Sequence, residues 1–181
     1  MAELENFDLA HISAVEILTP KFDESLWFFK DLLAMREVAR IGDSVYLRCW
    51  DEYETYSIKL TASDTNGVGR TMLRATSPEA LKRRVAAIEN TGYGEGWKDP
   101  EVGIGEYYEF EDPDEHLFGI YYDTELYQAD EQDRPALKNQ AARYPGRGVN
   151  ARRLDHINYL ASDVNVTGDF WDKVMKARET E

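Results

Sequence analysis

The chain has 181 residues, of which 21 are Lys or Arg and 35 are Asp or Glu, so its formal net charge is −14. Apolar residues make up 43% and charged residues 31%, which is typical of a folded globular protein. The excess of acidic residues argues against a nucleic-acid backbone or an anionic lipid surface as a partner. Charge therefore excludes classes of partner but does not indicate a substrate.

Neither a membrane span nor a secretory signal is predicted. No apolar run approaches the roughly 20 residues that a membrane helix needs, and the first ten residues lack a basic segment followed by a long apolar one. The single cysteine, Cys49, excludes an intramolecular disulfide and suits a reducing compartment. We expect a cytoplasmic protein that does not contact membranes.

The first part of the chain predicts the element order β-α-β-β-β. Residues 8–17 alternate and are rich in branched side chains, which is typical of a strand. Asp23 can cap a helix whose apolar residues recur on one face through Leu33. Three further strands are predicted over residues 35–40, 44–50 and 56–61.

The same order is then predicted again. A strand over residues 69–76 is followed by a helix that starts at the cap Ser77, with Pro78 in its first turn. The remaining strands are predicted around Trp97 and over residues 105–111 and 116–123. Residues 1–123 are therefore interpreted as one domain of two tandem modules.

A third module is predicted after a connector at residues 124–151. The sequence Leu154-Asp155-His156-Ile157 repeats Leu9-Ala10-His11-Ile12, and Phe170-Trp171 repeats Phe28-Phe29. Residues 152–181 are thus expected to begin a second domain with a strand over 153–161 and a helix. A complete second pair of modules would need roughly 90 further residues by this repeat.

Four segments resemble a known family. They read FDLAHISAVEILTP, SVYLRCWDEYETYSIKLT, SPEALKRRV and RPALKNQAARYPGRGVNARRLDHINYLASDV. With the repeat, they resemble the vicinal oxygen chelate superfamily, in particular the two-domain extradiol dioxygenases such as the catechol 2,3-dioxygenases. The resemblance implies an α+β fold in which tandem βαβββ modules form an open, barrel-like mixed sheet, the glyoxalase/bleomycin-resistance/extradiol dioxygenase fold, with an incomplete third module.

The resemblance also implies a chemistry. Such enzymes cleave catechol-type aromatics with O2, and two histidines and one carboxylate bind Fe(II) on one face, leaving the other face open. The first of these metal ligands matches His156, and the others come from later strands. We therefore expect this chain to be an inactive fragment of a homo-oligomeric aromatic-degrading enzyme, with a non-catalytic first domain, no catalytic or cofactor-binding residue besides the ligand His156, and no Fe(II) bound.

The first domain has positions equivalent to metal ligands. His11 matches His156, but Arg70 and Gly119 stand where metal-bearing modules of the family carry a histidine and a glutamate. His11 is thus interpreted as structural, and His116 as a residue of a turn or strand start. Two alternatives remain: a metal-free module that binds a small aromatic ligand, and a glyoxalase-type isomerase, which Arg70 and Gly119 disfavour.

The predicted third-module helix has an apolar face that includes Phe170, Trp171, Val174 and Met175. A strand over residues 153–161 cannot satisfy its backbone groups alone. We expect it to pair with a sheet edge either of the first domain or of a second copy, and we favour the second outcome, self-association of the chain.

Overall fold

A computed structural model describes residues 7–178, so residues 1–6 and 179–181 of the two predicted domains lie outside the described residues. The first module consists of β1 (Leu9–Thr19), α1 (Phe22–Trp27), β2 (Arg36–Ile41), β3 (Ser44–Arg48) and β4 (Ile58–Ala62). The second consists of β5 (Gly67–Ala75), α2 (Pro78–Glu89), β6 (Gly94–Lys98), β7 (Tyr107–Glu111) and β8 (Leu117–Tyr121), and α3 (Val164–Lys173) follows the connector. The predicted α+β class and tandem module order are confirmed. No helix within residues 7–178 is long and apolar enough to cross a membrane.

The chain divides into two compact units. Within residues 7–178, the module-one unit contains residues 13–69 and 124–155, and the module-two unit contains residues 7–12, 70–123 and 156–178. In the module-one unit the strand order is β2-β3-β4-β1, with β1 and β4 parallel and the other pairs antiparallel. In the module-two unit it is β6-β7-β8-β5, with β5 and β8 parallel and the other pairs antiparallel. In both modules, therefore, the first strand pairs in parallel with the last strand.

Helix α2 forms as the sequence predicts. The Ser77 hydroxyl accepts the backbone N–H of Ala80 at 3.0 Å, and Pro78 lies in the first turn, where its missing N–H costs nothing. Its buried face includes Val85 and Ile88. These side chains belong to the core of the module-two unit, whose other members include Leu73, Tyr108, Phe110, Phe118 and Ile120.

Helix α3 completes that core. Asp163 caps it by accepting the backbone N–H of Asn165 at 2.9 Å. Phe170 and Met175 are 5% and 0% exposed and belong to the same cluster as the α2 face. The module-two unit therefore covers these two apolar residues of the predicted helix face. Self-association of the chain stays a prediction.

The predicted strand over residues 153–161 is also wrong, because residues 151–161 have no regular structure. Its alternating apolar residues favour a strand, but a strand needs a neighbouring edge to accept its hydrogen bonds. Within residues 7–178 no strand pairs with this segment. Side-chain contacts hold it instead: Tyr159 bonds to Thr71 through its hydroxyl, and Asp114 accepts the N–H of Ser162 at 2.8 Å.

The first helix differs from the prediction in its cap and its burial. Asp23 is not the cap, because α1 begins at Phe22 with Lys21 in the cap position and no side-chain cap bond. A π-helical turn at Phe28–Leu32 replaces its predicted continuation. Trp27 is 59% exposed, so the apolar periodicity of this segment does not mark a fully buried face.

The connector contains a single-turn 3-10 helix at Glu131–Asp133 but is otherwise irregular, close to the prediction. Its anchor is Asp51, whose side chain is 0% exposed. Asp51 accepts the backbone N–H of Ala141 at 3.0 Å, the Nε of Arg152 at 2.9 Å and a terminal nitrogen of Arg153 at 3.1 Å. One buried carboxylate therefore binds the connector at Ala141 and the two residues that directly follow the connector, Arg152 and Arg153.

Removing this carboxylate should loosen the connector. We expect Asp51→Ala to lower the free energy of unfolding by about 2 kcal/mol, because it removes the shared acceptor of the Ala141 N–H and of two largely exposed arginine side chains. Asp51→Asn should cost about half as much, since one acceptor oxygen remains while the charge is lost. Urea unfolding at neutral pH measures both. The exposed loop residue Asp64 supplies the control, and an Asp64→Ala loss equal to that of Asp51→Ala would contradict the assignment.

Candidate metal centre

The three histidines lie in three different settings. His11 is in β1, His116 directly precedes β8, and His156 is an exposed residue of the irregular segment after the connector. Within residues 7–178, one group of three potential ligands comes close enough to hold a metal ion, and it consists of Asp112, Asp114 and His116. Neither His11 nor His156 belongs to it.

The Asp112–Asp114–His116 group is a hydrogen-bonded turn. Asp112 accepts the backbone N–H groups of Asp114 and His116 at 3.0 Å each, and its second oxygen lies 3.0 Å from the His116 Nδ1. Hydrogen bonds from Ser162 and then from Thr167 lower the pKa of Asp114 to about 2. Asp112 and Asp114 thus each accept hydrogen bonds from neighbouring residues. His116 lies between the turn and β8, where the sequence predicts a residue of a turn or strand start.

His156 does not complete a metal site with the described residues. A metal of the implied kind needs two histidines and one carboxylate on one face. Residues 7–178 place no second and third ligand group of this kind beside His156. The residues present therefore do not fit a bound Fe(II), and the assignment of His156 as a metal ligand stays a proposal.

The equivalent positions of the first domain, Arg70 and Gly119, lie next to each other. A Cβ placed on Gly119 would lie 3.1 Å from the Cδ of Arg70 and 2.8 Å from the Sδ of Met72. A glutamate at position 119 would therefore collide with side chains of the neighbouring strand β5. The side chains of Met72, which pairs with Gly119 across the two strands, and of Arg70 fill this space, which accounts for the glycine.

The Arg70 guanidinium is the centre of a partly buried ion-pair network. It donates to Glu109 at 2.8 Å and to Glu101, and its Cζ lies 4.5 Å from the centre of the Tyr107 ring. The Nζ of Lys98 also pairs with Glu109, at 3.0 Å. Burial opposes the charge on Arg70, but the two glutamates outweigh it and raise the pKa of Arg70. Arg70 therefore forms ion pairs with both Glu101 and Glu109.

Sequence reasoning identifies Arg70 but misses its partners. Glu109 alternates with Tyr108 and Phe110 along β7, so strand periodicity could have placed it on the face away from the apolar core. Glu101 lies in a loop, and nothing in its local sequence marks it as a partner of β5.

Loss of Arg70 should destabilise the module-two unit. We expect Arg70→Met to lower the free energy of unfolding by about 3 kcal/mol, because Glu101 would lose its cation and Glu109 would keep only its pair with Lys98. An Arg40→Ala control, which removes an exposed ion pair with Glu37, should cost less than about 1 kcal/mol.

The pH dependence of the free energy of unfolding should also change in Arg70→Met. Burial raises the pKa of Glu109, but bonds from Arg70 and Lys98 outweigh it and lower the pKa overall. Its contribution to stability is present above the unfolded pKa and is lost as pH falls through the lower folded pKa. In Arg70→Met that loss should begin at higher pH. Urea unfolding between pH 3 and pH 7 measures this, and curves of the same shape for both proteins would refute it.

The module-two unit also contains an apolar cavity of about 530 Å³. Helix α3 covers it with Trp171, and Tyr159 lines it beside Thr71, to which it is hydrogen-bonded. Leu9, Leu73 and Phe118 are among the other lining side chains. The cavity is large enough for a small aromatic molecule.

Comparison with known proteins identifies relatives of the chain. No protein-family model matches it. The metapyrocatechase of Geobacillus stearothermophilus is 41% identical over 164 residues, which cover 91% of this chain and 50% of that protein. The manganese-dependent 2,3-dihydroxybiphenyl 1,2-dioxygenase of Geobacillus genomosp. 3 is 33% identical over 153 residues, covering 83% of this chain and 48% of that protein. The chain thus spans about half the length of the curated relatives that it matches.

Solved structures share the fold. The 2,3-dioxygenase LapB from Pseudomonas sp. KL28 aligns with a TM-score of 0.79 and 18% identity over 92% of this chain and 58% of its own. Homoprotocatechuate 2,3-dioxygenase from Arthrobacter globiformis aligns with a TM-score of 0.76 and 20% identity over 96% of this chain and 52% of its own. Sequence and fold together show that the chain is related to extradiol dioxygenases and shares their vicinal oxygen chelate fold, over about half of its relatives' length.

Proposed function

We propose that this chain is the non-catalytic half of a cytoplasmic, homo-oligomeric extradiol dioxygenase, which opens catechol-type rings with O2 in aromatic degradation. The observation that carries the proposal is the 41% identity over 164 residues to a protein named metapyrocatechase. At that identity the two proteins share their fold over this half. The single cysteine, Cys49, supports a reducing compartment.

His156 is the residue that we propose as a ligand of the catalytic metal. When bound, such a metal supplies a positive centre that binds the catecholate oxygens and O2. Residues 7–178 do not bring further ligands to His156, so no chemical step is assigned to this chain. We place the other ligands in the half of the relatives that this chain does not span.

The metal itself is a divalent ion, for which we propose Fe(II). One relative is named as manganese-dependent, so Mn(II) is the competing choice. Both ions accept imidazole and carboxylate ligands, and residue type alone does not separate them. Metal analysis of an active protein decides between them.

The contribution of this chain is to hold the segment that carries His156. Arg152 and Arg153 are tied to the buried Asp51 immediately before the Leu154-Asp155-His156 sequence. A ligand on an otherwise irregular segment needs such support, because metal geometry tolerates little displacement. We propose that this attachment fixes the backbone from which His156 enters the metal site.

A chimera tests the proposal. Residues 1–181 would be joined to the part of the Geobacillus stearothermophilus metapyrocatechase that the match leaves uncovered. We expect O2-dependent formation of a yellow ring-fission product from catechol, together with about one bound Fe(II) or Mn(II) per chain. The 181-residue chain alone should show neither turnover nor ring fission when supplied with the same metals.

Histidine variants of the chimera separate the proposed metal-ligand role of His156 from the structural role of His11. His156→Ala should abolish turnover and metal retention, because a facial triad with two ligands binds poorly. His11→Ala should leave turnover within about twofold, since His11 belongs to no ligand group among the described residues. Activity that survives His156→Ala, or turnover by the 181-residue chain alone, would contradict the proposal.

The apolar cavity supports a second candidate, a module that binds a small aromatic ligand without metal. Trp171 and Tyr159 line it, so an aromatic ligand should change the fluorescence of Trp171. An inactive chimera, combined with saturable fluorescence quenching of the 181-residue chain by catechol, would favour this candidate. Quenching lost in Trp171→Phe would locate the ligand there.

A further inference from the structure

A second cavity, of about 370 Å³, lies in the module-one unit, between β2, β3 and the connector. Its lining contains five basic side chains and two acidic ones, although the whole chain has a net charge of −14. The basic residues are Lys30, Arg36, Arg48, Arg143 and Arg147, and the acidic residues are Glu37 and Asp133. The cavity is therefore a local concentration of positive charge on an acidic protein.

The two acidic residues neutralise part of this charge. Lys30 pairs with Glu37 at 2.7 Å, and Arg36 pairs with Asp133 at 2.5 Å. The described residues offer the Arg143 guanidinium neither a hydrogen bond nor an ion pair. Arg147 donates to the backbone oxygen of Lys30 at 3.3 Å, which leaves its charge without a counterion among the described residues. The cavity thus keeps an excess of cations.

The strongest indication is Arg48, which is 1% exposed. Its terminal nitrogens donate to the backbone oxygens of Trp50 and Glu52, and its Cζ lies 3.5 Å from the centre of the Tyr127 ring. The Nε is buried without a hydrogen-bond partner, and no carboxylate within residues 7–178 forms an ion pair with Arg48. Burial lowers the pKa of Arg48, as expected for a buried charge without a direct counterion.

A buried cation without a counterion costs free energy, and an anion in an adjoining cavity offsets that cost. Arginines form pairs of parallel hydrogen bonds with planar oxyanions. The lining also contains the apolar side chains of Met35, Trp50 and Ala142. We propose that this cavity binds a small organic carboxylate, with its charged group toward the arginines and its apolar part against Trp50.

The proposal goes beyond ring cleavage and does not depend on it. Inorganic phosphate would satisfy the arginines but would leave the Trp50 side of the cavity uncovered. A neutral molecule would cover Trp50 but would not compensate the charge of Arg48. Benzoate satisfies both requirements and is the probe of choice, with benzamide and phosphate as the matched comparisons.

Fluorine NMR of the 181-residue chain labelled with fluorotryptophan tests the site. The chain has four tryptophans, and of these Trp50 is the one that lines this cavity. We expect benzoate to shift the Trp50 signal saturably, while the signals of Trp27, Trp97 and Trp171 stay in place. Benzamide and phosphate should bind at least tenfold more weakly than benzoate.

Variants of exposed arginines provide the second arm. Arg143→Ala and Arg147→Ala should each weaken benzoate binding about tenfold, because each removes a charged donor. Arg134→Ala is the matched control, since Arg134 is an exposed connector arginine that does not line the cavity, and it should leave the affinity unchanged. Equal affinity for benzamide or phosphate, equal effects of all three variants, or no saturable shift of Trp50 would overturn the proposal.

Discussion

The carboxylate of Asp51 is the contact on which the arrangement of the connector depends. It is fully buried, and it binds the backbone of Ala141 and the side chains of Arg152 and Arg153. Two backbone bonds run beside it, from the N–H groups of Trp50 and Asp51 to the oxygens of Ala151 and Arg152 at 3.2 Å each. A long irregular segment buries little apolar surface, so such polar contacts must supply its order. The same contacts shape the basic cavity, which connector residues help to line.

The two modules repeat one topology but differ in the chemistry of equivalent positions. In the module-two unit, Arg70 stands where the family resemblance implies a histidine in metal-bearing modules, and Gly119 lacks a side chain that would meet Met72 and Arg70. The two changes depend on each other sterically, because a Cβ at position 119 would press on Arg70 and Met72. Glu101 and Glu109 then become ion-pair partners of Arg70. An internal salt-bridge network therefore occupies the position at which the family resemblance implies metal ligands in a metal-bearing module.

Local sequence patterns predict the regular elements well. Alternation predicts the strands of both modules, and the Ser77-Pro78 start of α2 is observed with its cap bond. The failures concern elements whose form depends on distant partners. Residues 153–161 alternate as a strand does but lie irregular, because no described strand pairs with them. The apolar face of α3 is predicted correctly, but its cover, the α2 side of the same core, is a tertiary contact that periodicity does not reveal.

The residues of the candidate site likewise divide into those that the sequence predicts and those that only the folded structure reveals. The repeat identifies His11, Arg70, Gly119 and His156 as equivalent positions, and the structure brings Arg70 and Gly119 together. The repeat does not identify Asp51 or the basic cavity, because their partners come from segments about 90 residues apart in sequence. No motif spacing encodes such contacts, and they follow from the folded chain.

Equilibrium dialysis of the 181-residue chain against Mn(II), with bound metal counted by mass spectrometry, tests most directly whether this half holds a metal alone. We expect much less than one equivalent per chain, and the same small amount for the His11→Ala and His156→Ala variants. Close to one equivalent of bound metal that disappears in either variant would contradict the conclusion that residues 7–178 do not form a metal site.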